Sequence, residues 1–247
     1  MVWMIGGVMM KDSINHWRLA NTAVLVLGLP LKQEEQSLGN MANTSSLLVI
    51  KVSPRGEHSG SRKLADEFLT AWKNAHPDGR VVMQDLSVTP PPVMNEAWIA
   101  GAYSPTDQHS PEAHAAIRVS DTYVDELLAA SEVVIATPIY NFGIPGALKL
   151  WIDQIVRAGR TFSFGANGAD GLARGRSVKV LVTSSGDFRP GQPLEAMNFV
   201  EPYLRCILGF IGITQVDFVY AHNQSRDGGE AILTEALATA RALAAAV

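Results

Sequence analysis

The chain has 247 residues, enough for one sizeable α/β domain or at most two small ones. With 47% hydrophobic and 18% charged residues, its composition supports a buried core and excludes a chain that is disordered throughout. The net charge of −4, without any basic run, argues against nucleic acid as a partner, and no stretch of about 18 apolar residues is present to span a membrane. The only cysteine, Cys206, excludes a disulfide within the chain, and its apolar surroundings predict an inert buried thiol.

The first 45 residues differ from the rest of the chain. They contain one short apolar run, Ala23 to Leu27, and then a polar stretch from Lys32 to Asn40. The run lacks the basic start and the small-residue cleavage site of a signal peptide. We therefore expect residues 1–45 to be an N-terminal extension that is either disordered or packed on the surface. A third possibility is that the native chain starts at Met41. The remaining residues, 46–247, form a single predicted domain.

Predicted strands and helices alternate through this domain. The first strand, residues 46–53, is a continuous apolar run, and the helix that follows at 61–75 carries one apolar face. Further strands are predicted at 81–86, 133–136, 178–183 and 216–221, and further helices at 95–100, 111–130, 146–157, 193–209 and from 229 onward. Glycine-rich residues 159–176 are predicted to form a loop or hairpin, with Thr161 to Phe164 as its strand-like piece.

This alternation predicts a three-layer α/β fold with right-handed crossovers. The third strand, Val133 to Ala136, is wholly apolar, as expected for a central strand that is buried on both faces. Five strands fit a doubly wound parallel sheet of order 2-1-3-4-5, with helices on both faces. In that order the loops after the first, third and fourth strands meet at one edge, where strand order reverses and ligands bind.

The loop after the third strand, Ile139-Tyr140-Asn141-Phe142-Gly143, is rich in aromatic residues. Aromatic rings supply apolar walls, and glycine allows the backbone to approach a ligand closely. Such a loop suits a flat aromatic cofactor, and we interpret it as part of a flavin site. The alternative is that the aromatic residues only cover the end of the sheet, with Asn141 in a turn.

The loops after the first and fourth strands contain serine and glycine. Ser53, Ser59, Gly60 and Ser61 lead into a helix, whose N-terminal N–H groups and partial positive charge favour a phosphate. The spacing matches neither a dinucleotide fingerprint nor a Walker loop, so a monophosphate fits better. The alternative is that Ser61 merely caps the helix. The fourth-strand loop, Ser184-Ser185-Gly186-Asp187, consists of common turn residues, and only its predicted position favours a binding role.

Two other kinds of site have no sequence support. The histidines that follow residue 45 show no paired spacing with carboxylates, so we expect no metal site. No serine lies in a nucleophile elbow, which leaves a hydrolase triad without its nucleophile.

Taken together, the three loops resemble those of the bacterial FMN-dependent NADH azoreductases, flavodoxin-like relatives of the NAD(P)H:quinone oxidoreductases. The resemblance extends over residues 46–245. The motifs that carry it are Pro138 to Phe142, Leu148-Lys149 with Trp151 to Asp153, Arg157 to Gly159 with Thr161-Phe162, Asn167-Gly168 with Gly171-Leu172, Glu201 to Leu204, and Leu208 to Thr214.

The resemblance implies a role for each loop. Ser53 and Ser59-Gly60-Ser61 would hold the FMN phosphate, Ile139-Tyr140-Asn141-Phe142 would line the isoalloxazine, and Ser184-Ser185-Gly186-Asp187 would close its other edge. Tyr140 and Phe162 are candidates for the walls of the substrate pocket. The family usually has Ser-Arg-Gly-Gly in the last loop, whereas this chain has Ser185 and Asp187 in place of the arginine and the second glycine. An aspartate there would disfavour the anionic reduced flavin or would point into water.

The resemblance also implies an activity. A cytoplasmic homodimer with two FMN sites at the subunit interface would follow a ping-pong cycle. NADH or NADPH would give hydride to flavin N5 and leave, and a quinone or azo compound would then be reduced on the same flavin face. No protein acid or base is required, because the cofactor carries the chemistry. Two alternatives remain open: a flavodoxin-like electron carrier without a substrate of its own, and a non-enzymatic flavin-binding regulator.

Overall fold

A five-stranded parallel sheet is the centre of the computed structural model, which describes residues 45–165 and 168–246. The strands of this sheet are β1 (Ser46–Lys51), β2 (Arg80–Asp85), β3 (Glu132–Pro138), β6 (Ser177–Thr183) and β7 (Gln215–Ala221). Two short strands, β4 (Phe162–Gly165) and β5 (Gly168–Gly171), form a separate antiparallel pair. The sheet order is β2-β1-β3-β6-β7, which is the predicted kind of sheet. Only the strand numbers differ, because the β4–β5 pair lies between the third and fourth strands of the main sheet.

Six α-helices connect or follow the strands in the described residues. They are α1 (Gly60–Ala75), α2 (Glu96–Tyr103), α3 (Pro111–Ala129), α4 (Gly146–Ile155), α5 (Val200–Phe210) and α6 (Gly229–Ala245). Single 3₁₀ turns lie at Gly56–His58, Thr106–Gln108 and Glu195–Met197. Except for α5, the bounds agree with the predicted helices to within about three residues.

Both faces of the sheet are buried, because successive side chains of a strand point to opposite sides. On β1, Leu48 and Ile50 face the core formed with α3, α4 and α5, whereas Leu47 and Val49 face the core formed with α1 and α6. All seven residues of β3 are buried, which confirms its predicted central position. Each fully buried large apolar side chain contributes about 1.5–3 kcal/mol, so this double core fixes the position of the strand ends.

Helix α5 begins later than predicted. The pattern predicted a helix from about residue 193, but the helix starts at Val200, where the Asn198 side chain accepts hydrogen bonds from the N–H groups of Val200 and Glu201 at 3.2 and 3.3 Å. A helix from residue 193 would also carry Pro202 in its interior, where proline removes a hydrogen bond and clashes with the preceding turn. In the observed helix Pro202 lies in the first turn, where it is tolerated.

The prediction that Cys206 is buried is wrong, because its side chain is exposed on α5. Leu204 and Leu208 face the core, and a residue two positions from each of them lies on the opposite side of a helix. The apolar run around Cys206 therefore belongs to an amphipathic helix and not to a buried segment.

Two expectations fall outside the described residues. The interpretation of residues 1–45 as an extension, with its possible start at Met41, concerns residues that precede Ser45, and Asn167 of the family-like motifs is also not described. Within the part of the chain that is described, no helix combines the length and apolar character needed to cross a membrane.

Candidate functional site

Three loops meet at the carboxyl edge of the sheet, as the predicted strand order requires. The backbone N–H of Val52 donates to the carbonyl of Ala136 at 3.1 Å, and the N–H of Ile139 donates to the carbonyl of Thr183 at 2.8 Å. These bonds continue the parallel pairing past the strand ends and hold the loops after β1, β3 and β6 beside one another. We call this edge of the sheet the rim.

The loop after β1 contributes three buried serines. The exposed fractions of Ser53, Ser59 and Ser61 are 1%, 3% and 0%. Ser59 is the N-cap of α1, since its side chain accepts a hydrogen bond from the N–H of Arg62 at 3.4 Å. The alternative that Ser61 caps the helix is therefore wrong. The Ser61 hydroxyl instead lies 3.1 Å from that of Ser59, so two hydroxyls are clustered at the start of the helix.

The N-terminus of α1 is suited to an anion. Its first turn contains no acidic residue, and the first N–H groups of a helix have no partner within the helix. Among the described residues, none accepts a hydrogen bond from the N–H of Gly60 or of Ser61. Arg62 links this loop to the end of β2. Its Nε donates to the carbonyl of Ser53 at 2.7 Å, and its guanidinium pairs with Asp85.

Gly60 allows this loop to lie against the end of β6. A Cβ atom at Gly60 would be 3.1 Å from Cγ2 of Thr183 and 3.6 Å from Cδ1 of Leu233. A side chain there would require the Thr183 side chain or the start of α1 to shift by a few tenths of an ångström.

The loop after β3 is a tight turn with an unusual backbone. Tyr140 and Gly143 exchange backbone hydrogen bonds of 3.1 and 3.0 Å, and the two central residues, Asn141 and Phe142, have φ values of +49° and +69°. Positive φ at both central positions defines a type I′ turn. Asparagine tolerates this conformation, but a bulky residue such as phenylalanine rarely adopts it, and such strain is concentrated at functional sites.

This turn presents aromatic surface at the rim. The exposed fractions of Tyr140 and Phe142 are 40% and 44%, although both follow a strand that is completely buried. The backbone N–H of Phe199 donates to the carbonyl of Phe142 at 3.1 Å and so holds the strained peptide in place. The Phe188 ring lies edge-on to Phe142, with the two ring centroids 6.3 Å apart.

The loop after β6 is held by a buried histidine. The hydroxyl of Ser184 donates to the carbonyl of Gly186 at 2.8 Å and lies 3.0 Å from Nδ1 of His222. His222 is 1% exposed, and its Nε2 has no hydrogen-bond partner among the described residues. Burial lowers the pKa of His222, so its ring is favoured in the neutral form. The stacked Tyr220 ring, 4.7 Å away, supports the other side of the imidazole.

Asp187, on the same loop, is not an isolated charge. Its carboxylate accepts hydrogen bonds from the backbone N–H of Arg189 at 3.2 Å and from the Nε of Arg189 at 2.8 Å, and it also contacts the Nη2 of that guanidinium. The hydrogen bond from Arg189 lowers the pKa of Asp187 to about 2. The carboxylate is therefore ionised and paired, and it neither faces the rim alone nor points freely into water.

The two predicted pocket residues lie in different surroundings. Tyr140 is exposed at the rim, whereas Phe162 is only 3% exposed and packs against Phe210, with ring centroids 4.8 Å apart. The exposed ring of the β4–β5 pair is Phe164. The pocket role of Phe162 stays a prediction.

Sequence reasoning missed the fourth loop at the rim. The segment after β7 contributes His222, and the N–H of Gln224 donates to the carbonyl of Ser184 at 3.0 Å. The signal was available, because the predicted fifth strand, β7, is parallel to β6 and its carboxyl end must lie at the same edge. Phe188 was also missed, since nothing in its local sequence distinguishes it from an ordinary loop residue.

The described residues contain a cavity away from the rim and no cluster of metal-binding side chains. A cavity of about 350 Å³ is found beside Ser46, Arg80 and Glu126, near the opposite edge of the sheet, and belongs to none of the three loops. In residues 45–165 and 168–246, no three His, Cys, Asp or Glu side chains are grouped so that they could hold a metal ion.

Comparison with known proteins agrees with this architecture. A family profile described as "Flavodoxin-like fold" matches residues 45–244. The "FMN-dependent NADH:quinone oxidoreductase 2" of Trichormus variabilis is 48% identical over 195 residues, which cover 78% of this chain and 94% of that protein. The "FMN-dependent NAD(P)H:quinone oxidoreductase 1" of Pseudomonas aeruginosa is 42% identical over 190 residues, which cover 74% and 90%.

A solved structure extends the comparison to three dimensions. The azoreductase from Bacillus anthracis strain Sterne superposes with a TM-score of 0.77 and 30% identity, and the match covers 83% of this chain and 100% of that chain. The chain therefore belongs to the flavodoxin-like family of FMN-dependent NADH:quinone oxidoreductases and azoreductases.

Proposed function

We propose that the protein is an FMN-dependent NAD(P)H oxidoreductase that reduces quinones, azo compounds or both. The observation that carries this proposal is the rim itself, where a helix N-terminus with clustered hydroxyls adjoins an exposed, strained aromatic turn. The first suits a phosphate and the second suits a flat ring, which are the two ends of FMN. The names of the most similar relatives given above support the same activity.

The residues at the start of α1 fit the phosphate. The hydroxyls of Ser53, Ser59 and Ser61, together with the N–H groups of Gly60 and Ser61, would donate hydrogen bonds to its oxygens. Hydrogen bonds to a charged acceptor are stronger than those between neutral groups. The absence of acidic residues from the first turn of α1 leaves the helix dipole free to favour the anion.

The residues at the other two loops fit the ring. Ile139, Tyr140, Asn141 and Phe142 would line it, with the turn geometry setting the direction of the backbone N–H groups of Asn141 and Phe142. The loop from Ser184 to Asp187 would close the polar edge, and His222 would support that loop from behind.

When bound, FMN would supply the redox chemistry that moves two electrons from NAD(P)H to the acceptor. The chain's own part is to orient the ring, to exclude water from one face and to leave the other face open to one substrate at a time. Sharing one face requires the first product to leave before the acceptor enters, so we propose a ping-pong order. Initial rates at several fixed quinone concentrations should give parallel double-reciprocal lines for NADH.

We also propose a homodimer, located in the cytoplasm, with FMN sites at the subunit interface. Several large apolar side chains near α2 and on the β4–β5 pair are exposed in the single chain: Val93, Ile99, Tyr103 and Phe164. Exposed apolar patches of this kind often mark an interaction site. Sedimentation analysis should give about twice the chain mass of 26.6 kDa, and a mass equal to that of one chain would contradict the dimer.

A steady-state assay tests the proposed activity. Purified protein saturated with FMN should oxidise NADH only slowly by itself, and adding a benzoquinone or an azo dye should accelerate the oxidation strongly. Protein that binds FMN but shows no acceleration with either acceptor would be an electron carrier or a flavin-binding regulator instead. Repeating the assay with NADPH measures the preference between the two donors.

A further inference from the structure

Asp187 and Arg189 form a charged unit on the loop that would close the polar edge of the flavin. The Asp187 side chain is 15% exposed, whereas the Arg189 side chain is 54% exposed. The carboxylate is therefore the inner member of the pair and the guanidinium the outer one. Nε and Nη2 of Arg189 bind Asp187, which leaves the remaining N–H donors of the guanidinium free of that bond.

The surroundings of the pair fix the carboxylate in place. Asn223, which has a φ of +57°, directs its Nδ2 toward Asp187 Oδ2 at 3.4 Å. His222, directly before Asn223, is buried and favoured in the neutral form, so it brings no permanent charge to the loop. Glu235 is a further negative charge that acts on Arg189 from α6. Between β6 and α5, residues 184–199, Arg189 is the one positively charged side chain.

We propose that Arg189, held by Asp187, sets the reduction potential of the bound flavin by offsetting negative charge at its polar edge. Two-electron reduction adds negative charge to the ring system, and charges near the ring tune its potential. An unpaired Asp187 would oppose that charge, whereas the pair presents the guanidinium outward and leaves residues 184–189 without net charge. This inference rests on the proposed flavin site and assigns a tuning role to two residues of it.

The alternative is an ordinary surface ion pair, which would contribute little to stability and would not affect the potential of the flavin. The two accounts differ in the sign of the effect when each partner is removed. Removing Arg189 leaves a carboxylate at the edge and should disfavour the reduced cofactor. Removing the charge of Asp187 leaves a guanidinium there and should favour the reduced cofactor. A general loosening of the loop would not produce shifts of opposite sign.

The test measures the two-electron midpoint potential of bound FMN in the wild type, Arg189→Gln, Asp187→Asn and the double variant. We expect Arg189→Gln to weaken binding of reduced relative to oxidised FMN by about tenfold, which lowers the potential by about 30 mV for a two-electron couple. Asp187→Asn should raise it by a similar amount, and the double variant should lie close to the wild type.

Two further variants serve as controls. Arg241→Gln removes a second exposed arginine, paired with Glu67 on the body of α1, and should leave the potential unchanged. Arg189→Lys retains the charge and should keep most of the wild-type potential. If Arg189→Gln fails to fold, the raised potential expected of Asp187→Asn still separates the two accounts. Equal potentials in Arg189→Gln, Arg241→Gln and the wild type would overturn the inference, as would a lowered potential in Asp187→Asn. Failure of the wild type to bind FMN would instead overturn the proposed function.

Discussion

At the scale of single residues, the Ser61 hydroxyl lies 3.1 Å from that of Ser59 at the start of α1 and does not cap its own helix. We expect Ser61→Ala to weaken FMN binding by about tenfold, because it removes one hydrogen bond to a charged phosphate. Riboflavin, which has the same ring but no phosphate, should bind the variant and the wild type equally. Titration of flavin fluorescence measures both constants. An equal loss for both ligands would show that Ser61 shapes the loop and does not contact the phosphate.

A second residue, Glu132, links the stability of the fold to pH. It begins β3 and is 1% exposed. Its Oε2 accepts a hydrogen bond from Nε1 of Trp72 at 2.9 Å, but its Oε1 has no partner among the described residues. Burial raises the pKa of Glu132 above its ordinary value of 4.5, although the hydrogen bond from Trp72 and the charge of Lys179 oppose the shift.

The folded state therefore binds this proton more tightly than the unfolded state does. The contribution of Glu132 to stability is largest below pH 4.5 and is lost as pH rises through the raised pKa of the folded state. Glu132→Gln removes this dependence, so the variant should gain stability relative to the wild type between about pH 5 and about pH 8, by on the order of 1 kcal/mol. Urea unfolding at both pH values measures the change.

If Glu132→Gln lost stability relative to the wild type as pH rose, Glu132 would be ionised and favourably bound in the folded state, contrary to this account.

At the scale of elements, the β4–β5 pair docks on the end of α5 through Gly171. A Cβ atom at Gly171 would lie 2.5 Å from the Cα of Gly212, so no side chain fits between the two backbones. We expect Gly171→Ala to lower the free energy of unfolding by about 2 kcal/mol, because overpacking forces the backbones apart. Gly165→Ala is the control, since the nearest atom to its Cβ would be 3.9 Å away, and it should have little effect. Equal stability of both variants would contradict this docking.

Most elements could be predicted from the sequence because their apolar spacing reports burial directly. The strand at β3 and the helix α1 are examples, since a continuous apolar run is typical of a buried strand and a single apolar face is typical of a helix that covers a sheet. The start of α5 was predicted too early because an irregular segment with its own 3₁₀ turn at Glu195–Met197 precedes the helix. The prediction that Cys206 is buried was wrong because it considered the hydropathy of the run and not its helical period.

The candidate site was predictable in position but not in detail. Parallel strands bring their carboxyl ends to one edge, so the three loops had to adjoin. The type I′ turn at Asn141 and Phe142 was not predictable, because phenylalanine is disfavoured at positive φ. The Asp187–Arg189 pair and the support from His222 depend on side-chain positions and on a contact across 38 residues, which no local pattern records.

At the scale of the whole molecule, the account depends on one arrangement: five parallel strands end at the rim, and the loops after four of them bring a phosphate site and an aromatic turn together. A twisted sheet that is buried on both faces holds these strand ends rigidly, so the site needs no folding of its own around the cofactor. The helices supply the core, and the loops are left to bind and orient ligands.

The most direct measurement is the absorbance spectrum of the FMN-saturated protein under anaerobic conditions, before and after the addition of NADH. The account predicts a flavin band that bleaches rapidly on adding NADH and returns on adding a benzoquinone. A bound flavin band that NADH leaves unchanged would contradict the proposed oxidoreductase, and failure to retain FMN at all would contradict the site at the rim.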